Sequence, residues 1–132
     1  MPTVFTAIHR VRSYECDSFG HVNNAVFMNY LEYARGEYLL QNGLSFHDFR
    51  RWNAFPFVIH AEISYKSPAI VHDFLEISGS VSEWKKTSFI IEYQVKNQAS
   101  GKLCAAAKMV FAFVNQDEKI VAIPQEFKEK LS

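Results

Sequence analysis

Tyr14-Glu15-Cys16-Asp17-Ser18-Phe19-Gly20-His21-Val22-Asn23-Asn24 runs directly into a helical pattern. An acid, a glycine turn and two capping amides therefore stand just ahead of a helix N-terminus. Such an end presents unpaired backbone N–H groups and a partial positive charge. A carboxylate facing it can act on an electrophile whose developing oxyanion is held by the same N–H groups. That arrangement suits hydrolysis of an ester or thioester.

Working outward, the helix should start near Asn24 and run to about Asn42, with Gly43 as its stop. Val26, Phe27, Tyr30, Leu31, Ala34, Tyr38 and Leu39 cover a wide arc, which predicts burial on most sides. Before the loop, Thr3 to Arg12 alternates as a strand. After the helix, Ser45 can cap a short second helix reaching Arg51. Strands follow at Phe55–Tyr65, Phe74–Glu83, Ser88–Val95 and Leu103–Val114, separated by turn residues. Both faces of the last strand are mostly apolar, so both should be covered. Pro124 to Leu131 reads as a short polar helix. One long helix against a curved antiparallel sheet satisfies this order, an α+β architecture in a single domain spanning 1–132. A partner subunit is the simplest cover for the other sheet face.

Bulk composition narrows the function. Of 132 residues, 48% are hydrophobic, and Lys plus Arg balance Asp plus Glu at 14 each. No global field attracts nucleic acid or a membrane surface. No apolar run approaches the roughly 18 residues that cross a bilayer. Cys16 and Cys104 form no metal-type spacing, and the histidines make no ligand cluster with carboxylates. Without a disulfide framework or signal peptide, a reducing cytoplasm is expected.

Asp17-Ser18-Phe19-Gly20-His21-Val22-Asn23-Asn24, followed by Tyr30-Leu31-Glu32-Tyr33-Ala34-Arg35, resembles the hotdog-fold acyl-CoA thioesterases of the 4-hydroxybenzoyl-CoA thioesterase type. Their pattern is D-x-x-G-H-V-N-N, then a helix bearing E-x-A-R. Tyr65-Lys66-Ser67-Pro68-Ala69 with Asp73-Phe74-Leu75 looks like the family's Y-x-x-P-A-x-x-x-D-x-L segment, and Trp84-Lys85-Lys86-Thr87-Ser88-Phe89 matches its turn into the next strand. The resemblance implies a hotdog fold, a curved antiparallel sheet wrapped around one long central helix, in dimers and often tetramers. It implies hydrolysis of an acyl-CoA or an acyl carrier protein thioester at the dimer interface. No metal or redox cofactor is implied, and coenzyme A enters as part of the substrate. Asp17 matches the family's nucleophile or general base, and Asn24 the position whose backbone N–H polarises the carbonyl. The His-Val-Asn-Asn form is often found in members acting on aliphatic acyl groups. Phe27 departs from the Tyr that many members carry, which removes a polar contact with the acyl end.

Each candidate also has a plainer reading. Asp17 alone would pass for an acid stabilising a helix start, and Asn23 and Asn24 for capping residues. Gly20 supplies the turn, and Asn23 positions water or the loop; both are candidates to contact substrate. His21 either bonds substrate or Asp17, or fixes the loop through a carbonyl. Glu32 and Arg35, at i and i+3, should pair on one helix face. Lys66, Lys85 and Lys86 are candidates to grip CoA phosphates, against an ordinary life as solvated lysines. Ser64, Ser67 and Ser88 can bond pantetheine amides or simply satisfy strand backbone. Phe27, Tyr30, Phe55, Phe57 and Trp84 are either acyl-pocket walls or packing. His9, His47, His60 and His72 read as strand or surface residues. Two other activities fit the same fold: a non-catalytic acyl-CoA or carrier-protein binding module, and a hydratase or dehydratase. The second usually wants a D-x-N-P-x-H-like loop, which this chain lacks.

Overall fold

Alternation makes the first strand, and the computed structural model describes residues 4–132. Strand β1 is Val4–Arg10, with Phe5 and Ala7 turned inward. Thr3, placed in this strand by its pattern, lies outside the described residues. One 3-10 turn at Ser13–Glu15 leads to the loop before helix α1, Val26–Gln41. Helix α2 is Phe46–Trp52, and strands β2 to β5 are Phe55–Tyr65, Phe74–Trp84, Ser88–Asn97 and Leu103–Val114. Helix α3, Gln125–Leu131, closes the chain. All five strands form one antiparallel sheet in the order β1-β3-β4-β5-β2.

Helix α1 buries Phe27, Tyr30, Leu31, Ala34 and Tyr38, which recur at helical spacing, against β1 and β3. Gly43 then takes φ +71°, a left-handed stop that suits glycine. The helix is not covered on most sides within this chain: Glu32, Tyr33, Gly36 and Leu40 are exposed. Its apolar arc is broader than its contact with the sheet. Ser45 caps α2 through a reciprocal pair with Asp48, whose carboxylate accepts the Ser45 N–H at 2.9 Å.

Aromatic rings fill the space between helices and sheet. Phe5 stacks on Tyr38 at 4.4 Å, Phe89 on Phe111 at 5.0 Å, and Phe113 meets Phe127 edge-on at 5.0 Å. Helix α3 is thus held by Phe127 and Leu131 in the core rather than lying as a polar tail. In β5, Ala105, Ala107, Met109, Phe111 and Phe113 are buried, while the opposite face is mixed. There Cys104 and Ala112 are buried, Ala106, Val110 and Val114 are half-buried and Lys108 is exposed, so this chain alone covers only one face. The open part of the sheet is β2. It is an edge strand with Phe57, Val58, Ile59 and Tyr65 all exposed.

Candidate active site

Between the 3-10 turn and α1 the chain folds back on itself. Cys16 bridges Val22, the Asp17 N–H donates to the His21 carbonyl at 2.7 Å, and the Gly20 N–H to the Asp17 carbonyl at 3.0 Å. Gly20 turns this loop at φ +81°. The Asp17 carboxylate accepts the N–H groups of Phe19 (2.9 Å) and His21 (3.2 Å), both on Oδ1. Its Oδ2 accepts no hydrogen bond from the described residues, and the side chain is exposed. One oxygen is anchored and the other is on offer.

The entry to α1 is built by Asn23 rather than by a cap at Asn24. Asn23 Oδ1 accepts the Ala25 N–H and its carbonyl accepts the Val26 N–H, each at 2.9 Å, while its own N–H donates to the Glu15 carbonyl at 2.9 Å. The N-cap position itself is Ala25, with no side-chain bond. Among the described residues no acceptor takes the Asn24 N–H. The Asn24 carbonyl accepts the Tyr65 hydroxyl at 2.9 Å.

Asp17, His21, Asn24 and Phe27 share a pocket of about 300 Å³ with Tyr65, Lys66 and Ser67. Phe27 meets Tyr65 edge-to-face at 5.5 Å. Lys66 is exposed there and makes no ion pair among the described residues. Ser67 is committed to the backbone, its hydroxyl donating to the Leu103 carbonyl at 2.9 Å. Ser64 is exposed on β2 and does not line the pocket. Tyr65 belongs to the site, yet in the sequence it reads only as the first letter of its motif. Its hydroxyl reaches Asn24 across 41 residues, a separation no local pattern encodes.

The remaining candidates sit elsewhere in this chain. Phe57 pairs with Ala112, which pairs with Ser88, and Trp84 pairs with Phe89. Phe57, Trp84, Lys85, Lys86 and Ser88 therefore lie at the end of the sheet opposite Tyr65, eight residues along β2, or about 26 Å at strand rise. Trp84 packs on Phe89 and Phe127 as part of the core rather than as an open wall. Lys85 and Lys86 are exposed on the turn. Phe57 lines a second chamber of about 290 Å³, between Leu39 of α1, Phe46 and Phe49 of α2, Phe111 of β5 and Phe127 of α3. Arg35 edges this chamber with its guanidinium 5.0 Å from the centre of the Phe111 ring. It forms no ion pair with Glu32 among the described residues, contrary to their spacing, because the guanidinium folds inward onto the ring. Tyr30 leaves the pocket too. It is buried, its hydroxyl donates to Glu15 at 2.9 Å, and burial followed by that carboxylate drives its pKa far up. His9, which reads as an ordinary strand residue, joins it there, 3.0 Å from Glu15.

Among the described residues no group of three or more His, Cys, Asp or Glu side chains could hold a metal ion. Among the described residues no helix is long and apolar enough to cross a membrane. Burial and the neighbouring Asp17, Glu15 and Asp73 carboxylates push the Cys16 thiol up, away from the thiolate a nucleophile needs.

Residues 11–131 match the thioesterase-like superfamily. The chain is 31% identical over 123 residues to the long-chain acyl-CoA thioesterase FadM of Escherichia coli, covering 92% of each. The crystal structure of YbaW from Escherichia coli superposes with a TM-score of 0.85 at 30% identity, covering 96% of both chains. A 4-hydroxybenzoyl-CoA thioesterase solved with 4-hydroxybenzoyl-CoA superposes with a TM-score of 0.90, covering 98% of this chain and 99% of that one. At 20% identity that last likeness is one of fold.

Proposed function

The chain belongs to the thioesterase-like superfamily, has the hotdog fold and is a thioester hydrolase, and from that premise we propose that it cleaves acyl-CoA at the head of α1. One observation carries this reading. Asp17, whose Oδ2 is unengaged, and Asn24, whose N–H no described residue accepts, line one pocket. The thioester carbonyl carbon sits between them. Asp17 supplies the attacking oxygen, by its own Oδ2 or through a water it deprotonates. The carbonyl oxygen takes the Asn24 N–H and the positive end of α1, which stabilise the negative charge that develops there. Collapse expels CoA thiolate, a good leaving group that needs little acid assistance. His21 lines the same pocket from the bridge it makes with Ile70. Lys66 is free to meet a CoA phosphate at the rim.

The acyl group is aliphatic in this reading. The second chamber is walled almost wholly by apolar side chains, and the Escherichia coli relative is named a long-chain acyl-CoA thioesterase. Acyl carrier protein is the alternative thioester carrier. The working unit is a homodimer, able to pair further into a tetramer. Strand β2 presents an eleven-residue exposed edge with apolar side chains, which soluble proteins rarely leave unpaired. A second β2 turned end for end brings the Phe57 end of one chain to the Tyr65 end of the other. That would unite the two sets of candidates that one chain holds apart. Two free thiols, Cys16 and Cys104, agree with a reducing cytoplasm.

The test is thiol release from short, medium, long and aryl acyl-CoAs, with Asp17→Asn beside wild type. Asparagine can keep both N–H bonds to its Oδ1, so the loop survives while the attacking oxygen is lost. Release by wild type alone supports the reading. Turnover by Asp17→Asn at the wild-type rate refutes the mechanism. Tight acyl-CoA binding with no release from any substrate would make the protein a binding module.

A further inference from the structure

Asp17 and Asn24 are seven positions apart in sequence, yet they must be held to a fraction of an ångström to act on one carbonyl. The residue in contact with both sides of that gap is Glu15. Its main-chain carbonyl accepts the N–H of Asn23, immediately before the Asn24 N–H. Its chain runs on through Cys16, bridged to Val22, into Asp17. Its side chain reaches the other way. Oε1 accepts the Arg12 N–H at 2.8 Å and the Tyr30 hydroxyl at 2.9 Å, and His9 Nε2 lies 3.0 and 3.1 Å from the two carboxylate oxygens.

These donors come from three separate places: the end of β1, the residue that precedes the 3-10 turn and the second turn of α1. The group is well sheltered, with His9 and Glu15 side chains 13% and 12% exposed. Tyr30 is held in turn by the His9 ring at 4.6 Å and the Phe27 ring at 5.7 Å. Burial works against the Glu15 carboxylate, but the bonds from Arg12, His9 and Tyr30 outweigh it and hold its pKa below the ordinary value. The carboxylate is thus a stable, triply held anion.

Resting on the reaction proposed above, we propose that Glu15 is the positioning residue of this site. Through its carbonyl and carboxylate together it sets the spacing between the Asp17 loop and the N-terminus of α1. It touches neither substrate nor reacting atoms. Its effect is on geometry, and a displacement of about 1 Å between reacting groups costs on the order of a hundredfold in rate.

Glu15→Gln, Tyr30→Phe and the double variant test this, in the full chain with the best acyl-CoA of the panel. Glu15→Gln is expected to lower kcat about tenfold to a hundredfold with KM within about threefold, because binding contacts are untouched. Tyr30→Phe, which removes one oxygen atom, should lower kcat less. The double variant should resemble Glu15→Gln, since both act through one carboxylate. Amide hydrogen exchange should quicken from Cys16 to Asn24 in Glu15→Gln. An unchanged kcat in folded Glu15→Gln, or a loss fully accounted for by lower Tm, overturns the proposal. Should Glu15→Gln fail to fold, Tyr30→Phe decides it, and wild-type kcat there overturns it equally. If wild type itself releases no thiol, the reaction assigned above fails, and hydrogen exchange still decides the positioning claim: unchanged protection of the loop overturns it.

Discussion

Tyr65→Phe isolates a single long-range bond at the proposed oxyanion site. The hydroxyl donates to the Asn24 carbonyl at 2.9 Å, while the ring leans on Phe27 at 5.5 Å and 72°. Phenylalanine keeps the ring contact and deletes only the donor. Tyr65 is 48% exposed, so water can partly replace it, which sets the cost at about 0.5–1 kcal/mol, the lower part of the range for a neutral hydrogen bond. If that bond holds the Asn24 peptide for the transition state, the whole cost appears in kcat, a fall of about two- to fivefold. The Tm should drop by no more than about 4 °C. Tyr65→Ala also loses the edge-to-face contact with Phe27, worth about 0.5–1.5 kcal/mol beyond its buried area, so it should fall further in both activity and Tm. Steady-state thiol release gives kcat and KM, and thermal melting gives the stability control. A Tyr65→Phe enzyme with wild-type kcat would show that the bond does not orient the oxyanion donor. A raised KM at constant kcat would instead make Tyr65 an ordinary binding contact.

Three other outcomes are expected. Ile59→Lys, placed on an exposed residue of the β2 edge, should leave the chain folded but monomeric by light scattering and inactive; an active dimer would remove β2 from the interface. Glu15 has its folded pKa held below its ordinary 4.5, so its contribution is fully present above that value and is lost as pH falls through the folded value. Glu15→Gln should therefore melt lower than wild type at neutral pH, with the gap closing as pH falls below the ordinary 4.5 and through the lower folded value; a gap independent of pH would refute the assignment. Gly79→Ala should destabilise by about 1–3 kcal/mol by denaturant titration, because a Cβ there would run into the Glu92 carbonyl oxygen and lie 3.0 Å from two Phe5 ring carbons. An unchanged midpoint would mean that β3 and β4 can spread at that point.

Local chemistry was readable in the chain by itself. Alternation marked the strands, helical spacing marked α1, Ser45 and Gly43 marked helix ends, and the motif from Asp17 to Asn24 placed an acid before a helix start. Each of these signals is carried by neighbours a few residues apart, and the physics that produces it acts over the same distance. Spacing misled where the alternative partner was distant. Arg35 turns onto Phe111 instead of Glu32, and Tyr30 turns from the pocket to Glu15. Tyr65 joins Asn24, and Phe57 parts from Tyr65 by the length of β2, only once the sheet has set its register. His9, Glu15 and Tyr30 make no pattern in sequence because their meeting depends on β1 and α1 packing face to face. Sequence determined which elements form and which residue types stand at the loop. Tertiary structure decided which side chains share a pocket, because a hydrogen bond or ring contact is satisfied by whichever partner folding brings within reach.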